Sequence, residues 1–351
     1  SEDTFENIQL RNSIIQVKFN AVAFTSAIYI PAQISTKLFE VDPYTFNSLT
    51  EFISLSETKL PRDLRTDALF ALECISSKHI WCSDIVRNLG GNMSHGLLFQ
   101  ILRYIAKIIQ EDIQTEVDEE YNVRLFYLIS NLADVKSLQE SLLSAGLISS
   151  LLEIVSVKHS RYKRTLASAT HLLEVIVGDS DATTEFIANN GFKILIESVN
   201  EEVNFALEHP EFGEPSKYSV VYYSISFRQL GYIRSLLKLV LKLLKTDSGD
   251  RIRNLIDSPI LLALNKLLEN RKVFGYTLIT YALDVVQTII NTEPTIYQVL
   301  VESGTIPYIL EHFDQFMGPS SELLRLLPEV ISALCLNNDG LHQVKEKKLV
   351  K

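Results

Sequence analysis

Ser141-Leu-Leu-Ser-Ala-Gly146-Leu-Ile-Ser-Ser-Leu-Leu152 is the stretch on which the reading of this chain turns. A short run of helix-compatible residues ends at a glycine, an apolar pair follows, and a second apolar run starts at once. Glycine just past a helix adopts the left-handed conformation that stops it and turns the chain sharply. The same grammar returns at Glu185-Phe-Ile-Ala-Asn-Asn-Gly191-Phe-Lys-Ile-Leu-Ile196 and at Val299-Leu-Val-Glu-Ser-Gly304-Thr-Ile-Pro-Tyr-Ile-Leu310. A fourth copy, Leu255-Ile-Asp-Ser-Pro259-Ile-Leu-Leu-Ala-Leu264, has proline in place of glycine. Gly146 and Gly191 stand 45 residues apart, and so do Pro259 and Gly304.

A period of roughly 40–47 residues is that of armadillo and HEAT repeats. One such helix set cannot bury its apolar face alone, so stacking on its neighbours is obligatory. The segments between junctions carry helical periodicity. Leu236, Leu237, Val240, Leu241 and Leu244 share one side, with Lys238, Lys242 and Lys245 on the other. Leu278, Tyr281, Ala282, Val285, Val286 and Ile289 repeat the pattern, as do Leu125, Leu128, Ile129 and Leu132. Polar stops recur at matching phase: Asn131 to Asp134, Gly178-Asp179, Asn291 to Pro294 and Asn337 to Gly340. The best strand-like alternation, Tyr218 to Phe227, is isolated. With 13 Gly and 10 Pro in 351 residues, turn formers are too sparse for an all-β fold. The expected fold is therefore all-α, an armadillo/HEAT-like right-handed superhelical solenoid.

Three regions interrupt the pattern. Tyr29 to Asp42 is edged by Pro31 and Pro43. Asp112 to Glu120 is acidic. Glu201 to Tyr218 holds His209-Pro210, Gly213, Pro215 and five glutamates. The expected organisation is a first armadillo-like region at 1–200, a linker or insertion at 201–227, and a second armadillo-like region at 228–351 that continues the solenoid. The chain begins at Ser1 and stops in a charged run at Lys351, and it reads as a piece of something longer or a processed chain.

Composition narrows the function. Thirty-three Lys and Arg against 43 Asp and Glu give a net charge of −10, which repels nucleic acid and suits basic protein partners, though its plainer effect is to keep a protein soluble. Cys74, Cys82 and Cys335 are too few and scattered for a disulfide framework, so a reducing compartment is expected. There is no run of eighteen apolar residues and no signal-peptide pattern, so no membrane partner is expected.

No chemistry-bearing motif stands at usable spacing. Cys74, His79, Cys82 and His95 match no zinc pattern, and Gly90-Gly91 reads as a helix break with His95 at the next helix start. Gly-Gly-Asn there lacks the spacing and preceding strand of a phosphate cradle. Cys335 lies in an apolar helix and reads as a core thiol. No catalytic residue, metal or cofactor is expected. Two charged clusters are the candidate partner-binding residues. One is acidic: Glu111, Asp112, Glu116, Asp118, Glu119 and Glu120. The other is basic: Lys158, Arg161, Lys163 and Arg164, around Tyr162. Arg234, Lys238, Lys242 and Lys245 form a further basic stripe. Solvated loops and helix faces are the favoured reading of all three.

A family resemblance rests on an ordered series of segments. Arg65 to Ile75 and Asn88 to Gly96 resemble the first armadillo-like region of the giant HECT E3 ubiquitin ligases of the HUWE/Tom type, with a fungal cast. Leu236 to Leu244, Arg251 to Ser258, Phe274 to Leu278, Glu293-Pro294 and Leu327 to Asn337 resemble the region that follows it. The resemblance implies a scaffold segment that presents substrates to a distant C-terminal HECT domain, whose cysteine accepts ubiquitin. It implies basic clients such as histones or unassembled ribosomal proteins, contacts with the rest of the parent ligase, and residence in nucleus and cytoplasm. It carries no catalytic residue onto this chain. The alternatives are a purely structural arc and a transport adaptor. The single tryptophan, Trp81, argues against an adaptor of the importin-α type.

Overall fold

The computed structural model describes residues 5–27, 44–53, 61–90, 95–112, 119–158, 160–209, 225–246, 258–318 and 320–349. Among them every regular element is helical and no strand occurs. The fold is an all-α solenoid of armadillo type, and it separates into two compact units, Ser1–Ile154 and Val155–Lys351.

The first unit holds α1 (Phe5–Ala27), α2 (Thr45–Ile53), α3 (Arg62–Ser76), α4 (Cys82–Leu89), α5 (Leu97–Gln110), α6 (Glu119–Ala133) and α7 (Lys136–Ser144). It closes with α8 (Leu147–Val155). Helices α1, α3 and α6 form a row, with α3 in the middle. Leu64, Ala68, Leu69, Ala71, Leu72 and Ile75 of α3 are all buried. That stripe is too wide for one contact, and it is what a helix with a neighbour on either side needs. Tyr121 of α6 donates its hydroxyl to the Ile53 carbonyl at 2.7 Å, tying α6 to the end of α2.

The second unit repeats the plan at greater length. Its first row is α9 (Lys163–Ile176), α12 (Phe227–Thr246), α14 (Arg271–Thr292) and α18 (Ser321–Leu334), each packed on the next. Its second row is α11 (Gly191–Glu208), α13 (Ile260–Glu269) and α16 (Thr305–Glu311). Short helices α10 (Ser180–Ala188), α15 (Tyr297–Glu302), α17 (Phe313–Phe316) and α19 (Asn338–Glu346) complete the repeats. A fully buried Leu or Ile is worth about 1.5–3 kcal/mol, so the rows cohere mainly through apolar burial. By length and composition α14 could cross a membrane. Its apolarity has another cause: it lies between α12 and α18, and Gly275, at φ 68°, breaks it after one turn.

The repeat junctions are built by two devices rather than one. Gly146 (φ 91°) and Gly304 (φ 83°) take the left-handed conformation that their position after a short helix predicts. Gly191 does not. Asn190 (φ 57°) turns the chain there, and Gly191 is the first residue of α11. A methyl group on Gly191 would stand 2.6 Å from the Phe186 carbonyl oxygen and 2.7 Å from its ring, so this glycine serves close approach. Asparagine tolerates the left-handed region because its short side chain bonds locally. Some polar stops are also starts. Asp179 accepts from the Asp181 N–H at 3.0 Å and Asn337 from the Asp339 N–H at 2.9 Å, capping α10 and α19.

Residues 201–208, placed in a linker by their composition, form the last two turns of α11. Buried Val203 and Ala206 hold them in the helix despite the glutamates around them. Residues 210–224 lie outside the described residues.

Candidate functional site

Of the acidic cluster, Glu111, Asp112, Glu119 and Glu120 are among the described residues. Glu116 and Asp118 lie outside them. Glu111 and Asp112 are exposed at the end of α5, with Lys107 Nζ 4.0 Å from Glu111. Glu119 and Glu120 open α6. Glu120 is drawn into a bridge in which Arg124 Nε meets it at 3.0 Å and an Arg124 terminal nitrogen meets Glu73 at 3.1 Å. The guanidinium also lies 4.4 Å from the Phe70 ring centroid. Burial raises the Glu73 carboxyl above its usual range, and Arg124 opposes that rise. This bridge ties α6 to α3.

The basic run divides. Lys158 is exposed and reaches Glu201 at 3.5 Å. Arg161 is exposed, with its guanidinium 5.2 Å from the Tyr162 ring centroid, and Arg164 is exposed. Lys163 is buried, at 8% exposure, and its ammonium bonds to the carboxylate of Glu202, at 3% exposure. Helical phase explains the difference. Lys163 shares a stripe with Leu166, Thr170 and Leu173, all buried, so it faces the interior. Phe205 and Tyr232 wall the pair, with ring centroids 5.2 and 5.6 Å from Nζ. Burial and the neighbouring Glu202 raise the Tyr232 phenol far above its usual range.

The stripe on α12 is the centre of a more extended surface. Arg234 and Lys245 are exposed, Lys238 and Lys242 half-buried. Acidic groups from neighbouring helices of the row face it. Glu174 of α9 holds His171 at 3.0 Å. That bond lowers the Glu174 carboxyl below its usual value against the opposing effect of burial, and Lys238 and Lys242 lower it further. On α14, Asp284 is raised by burial, while the charge of Lys245 opposes the rise. Half-buried Tyr281 of α14 is raised chiefly by burial and feels charges from all four helices of the row: Arg234, Glu322, Glu174 and Asp284. The outer face of the row is thus a mixed-charge strip, not a basic patch. Glu174 and Asp284 were not singled out from sequence, because the α12 lysines they face, Lys238 and Lys242 for one and Lys245 for the other, are far from them along the chain. Only the repeat period could have pointed to them.

Among the described residues no three His, Cys, Asp or Glu side chains gather as a metal site. Cys82 is buried, its thiol pushed up to about 11 by burial, and it lies 3.3 Å from the Ser76 carbonyl oxygen. Cys74 and Cys335 are half-buried.

Residues 167–351 match the family described as Domain of Unknown Function (DUF913), and residues 2–107 match Domain of Unknown Function (DUF908). The chain is 79% identical over its whole length to a probable E3 ubiquitin-protein ligase TOM1 of Eremothecium gossypii. It is 70% identical over its whole length to the E3 ubiquitin-protein ligase TOM1 of Saccharomyces cerevisiae. It spans 11% of the length of each. The mouse E3 ubiquitin-protein ligase HUWE1 is 22% identical over 74% of the chain, which is 6% of that protein. Among solved structures, a designed armadillo repeat protein superposes with a TM-score of 0.51 at 16% identity, covering 82% of this chain and 99% of its own. A second, solved with a (KR)4 peptide, gives 0.51 at 15% identity over 82% of this chain and 98% of its own. These likenesses concern the fold.

Proposed function

The chain belongs to the DUF913 family, and from that premise we propose that it is a protein-binding scaffold segment of an E3 ubiquitin-protein ligase of the HECT type. In this reading the segment presents substrates to a distant catalytic domain and performs no chemistry itself. Its clients are basic proteins, with histones and ribosomal proteins as the first to try, and it works in nucleus and cytoplasm. The observation that carries the reading is identity of 79% and 70% along the whole chain to two TOM1 ligases. A net charge of −10 supports basic clients, since exposed carboxylates attract them over about a Debye length, roughly 8 Å at physiological salt.

A pull-down of core histones by the purified chain tests it. Capture at low salt that falls steeply as salt rises supports the reading. Absence of capture at low salt refutes client binding. A second reading, an arc that braces the parent ligase, gains support from Glu120, whose carboxylate is already paired with Arg124 within the chain. Deleting the segment from the parent would then disturb ligase assembly, while the isolated chain would capture no client.

A further inference from the structure

Helices α15 and α19 belong to successive repeats, and a cleft of about 180 Å³ opens between them. Tyr297, Gln298 and Val301 of α15 line one wall, and Asp339, His342 and Gln343 of α19 line the other. A cofactor or drug-sized molecule takes roughly 300–1,000 Å³, and one water takes far less than this cleft offers. The space suits a single side chain.

Tyr297 marks the cleft as a site. The residue is 1% exposed, and among the described residues nothing bonds to its hydroxyl. A hydroxyl taken out of water without a partner is costly and needs an explanation. It lies against the first turn of α19, where a methyl group on Gly340 would stand 2.9 Å from the hydroxyl oxygen. Asp339 is next to that glycine. Burial first, and the charges of Asp339 and Cys335 after it, raise the phenol above its usual range. At neutral pH it is therefore an uncharged hydroxyl, able both to donate and to accept.

The charges around the cleft select the occupant. Asp339 and Glu346 share a face of α19 with His342 and Gln343, at helical spacings of three and four. On α15, Gln298 donates its amide to Glu302 at 3.4 Å, which leaves the amide oxygen as an acceptor. Helix α15 carries no Lys or Arg. Lys345 lies about 120° from Asp339 around α19, and Lys347 and Lys348 lie past its far end. Carboxylate, amide oxygen and hydroxyl oxygen thus surround the apolar surface of Val301. A planar cation with several N–H donors on an apolar stem meets all of them, and arginine is that side chain. Lysine, with its donors on one nitrogen, meets fewer.

We infer that the cleft between α15 and α19 binds a single arginine side chain, its guanidinium held by Asp339 and the Tyr297 hydroxyl. The inference concerns the chemistry of the occupant and is independent of the client-binding reading above.

The probe is the peptide Gly-Gly-Arg-Gly-Gly, blocked at both ends and titrated into the full chain, with the methyl NMR signals of Val301 as the readout. Citrulline in place of the arginine keeps the shape and removes the charge. The arginine peptide moves the Val301 signals, and the citrulline peptide binds at least about tenfold more weakly. Asp339→Asn weakens arginine binding about tenfold and Tyr297→Phe about fivefold. Tyr297→Phe leaves the melting temperature unchanged or raises it, because the hydroxyl it removes makes no bond in the unliganded chain. Equal binding of the two peptides, or arginine binding indifferent to Asp339→Asn, overturns the inference. So does a Tyr297→Phe variant that melts earlier, since the hydroxyl would then have a structural partner. The same titration on a ligase of the relatives' full length separates the two sources of a guanidinium. Binding retained there means that an incoming protein supplies it. Binding present in the free chain and lost there means that the parent polypeptide fills the cleft itself.

Discussion

Replacing Lys163 by methionine removes one half of a buried charge pair and leaves Glu202 stranded. Both side chains are almost fully out of water, and the walls around them are the rings of Phe205 and Tyr232. Breaking such a pair from one side costs about 3–5 kcal/mol, because the remaining charge keeps its desolvation penalty and loses its counter-charge. For a unit of this size each kcal/mol shifts the melting temperature by about 2–4 °C, so Lys163→Met should lower it by roughly 6–20 °C. Glu202→Gln should fall in the same range. The double variant Lys163→Met, Glu202→Leu leaves no buried charge and should lie within about 1 kcal/mol of the parent. Solenoids need not unfold in one step, so the cycle is best read locally, by hydrogen exchange of α9 and α11 amides alongside melting. A large exchange increase in each single variant and its recovery in the double is the expected pattern. If Lys163→Met costs under about 1 kcal/mol, the ammonium reaches water in solution and the burial argument fails. If the double variant is as damaged as the sum of the singles, the pair is not the cause.

Three further outcomes rest on the same packing. Gly304→Ala should cost about 1–2 kcal/mol, since φ is 83° and no neighbour is within reach, while Asn190→Gly should be neutral or slightly stabilising; equal melting temperatures for the two variants would refute the left-handed junction. Asn265 donates to the Ser303 carbonyl at 2.8 Å and accepts from Thr305 at 2.7 Å, linking α13 to the next repeat. Asn265→Ala should therefore cost about 1–3 kcal/mol, read by urea denaturation. Glu174 has a folded-state pKa below its usual 4.5. Its contribution to stability is complete above that value and is lost as pH falls through the folded-state value. Glu174→Gln should flatten the acid side of the stability profile and leave the alkaline side unchanged.

Helix content, repeat period and the placement of Gly146 and Gly304 were legible because each rests on local chemistry: spacing of apolar residues and a conformation that glycine alone takes freely. The linker reading at 201–208 failed locally, since glutamates at polar phases of a helix and glutamates in a loop have the same composition. The candidate site was legible only as charge. Glu111 and Lys158 are exposed as their sequence neighbourhood suggests, but Lys163 lies inside and Glu120 is engaged by Arg124.

The amino-acid order alone determined that this chain is a helical array, with two pairs of junctions 45 residues apart. Periodicity and backbone sterics act within a few residues, so they can be read along a line. Only the tertiary structure decided that Asn190 rather than Gly191 turns left, that Lys163 meets Glu202, and that Glu174 and Asp284 face the α12 stripe. Those outcomes depend on which faces of distant helices are pressed together. Packing sets that, and the cost of burying a charge without its partner enforces it.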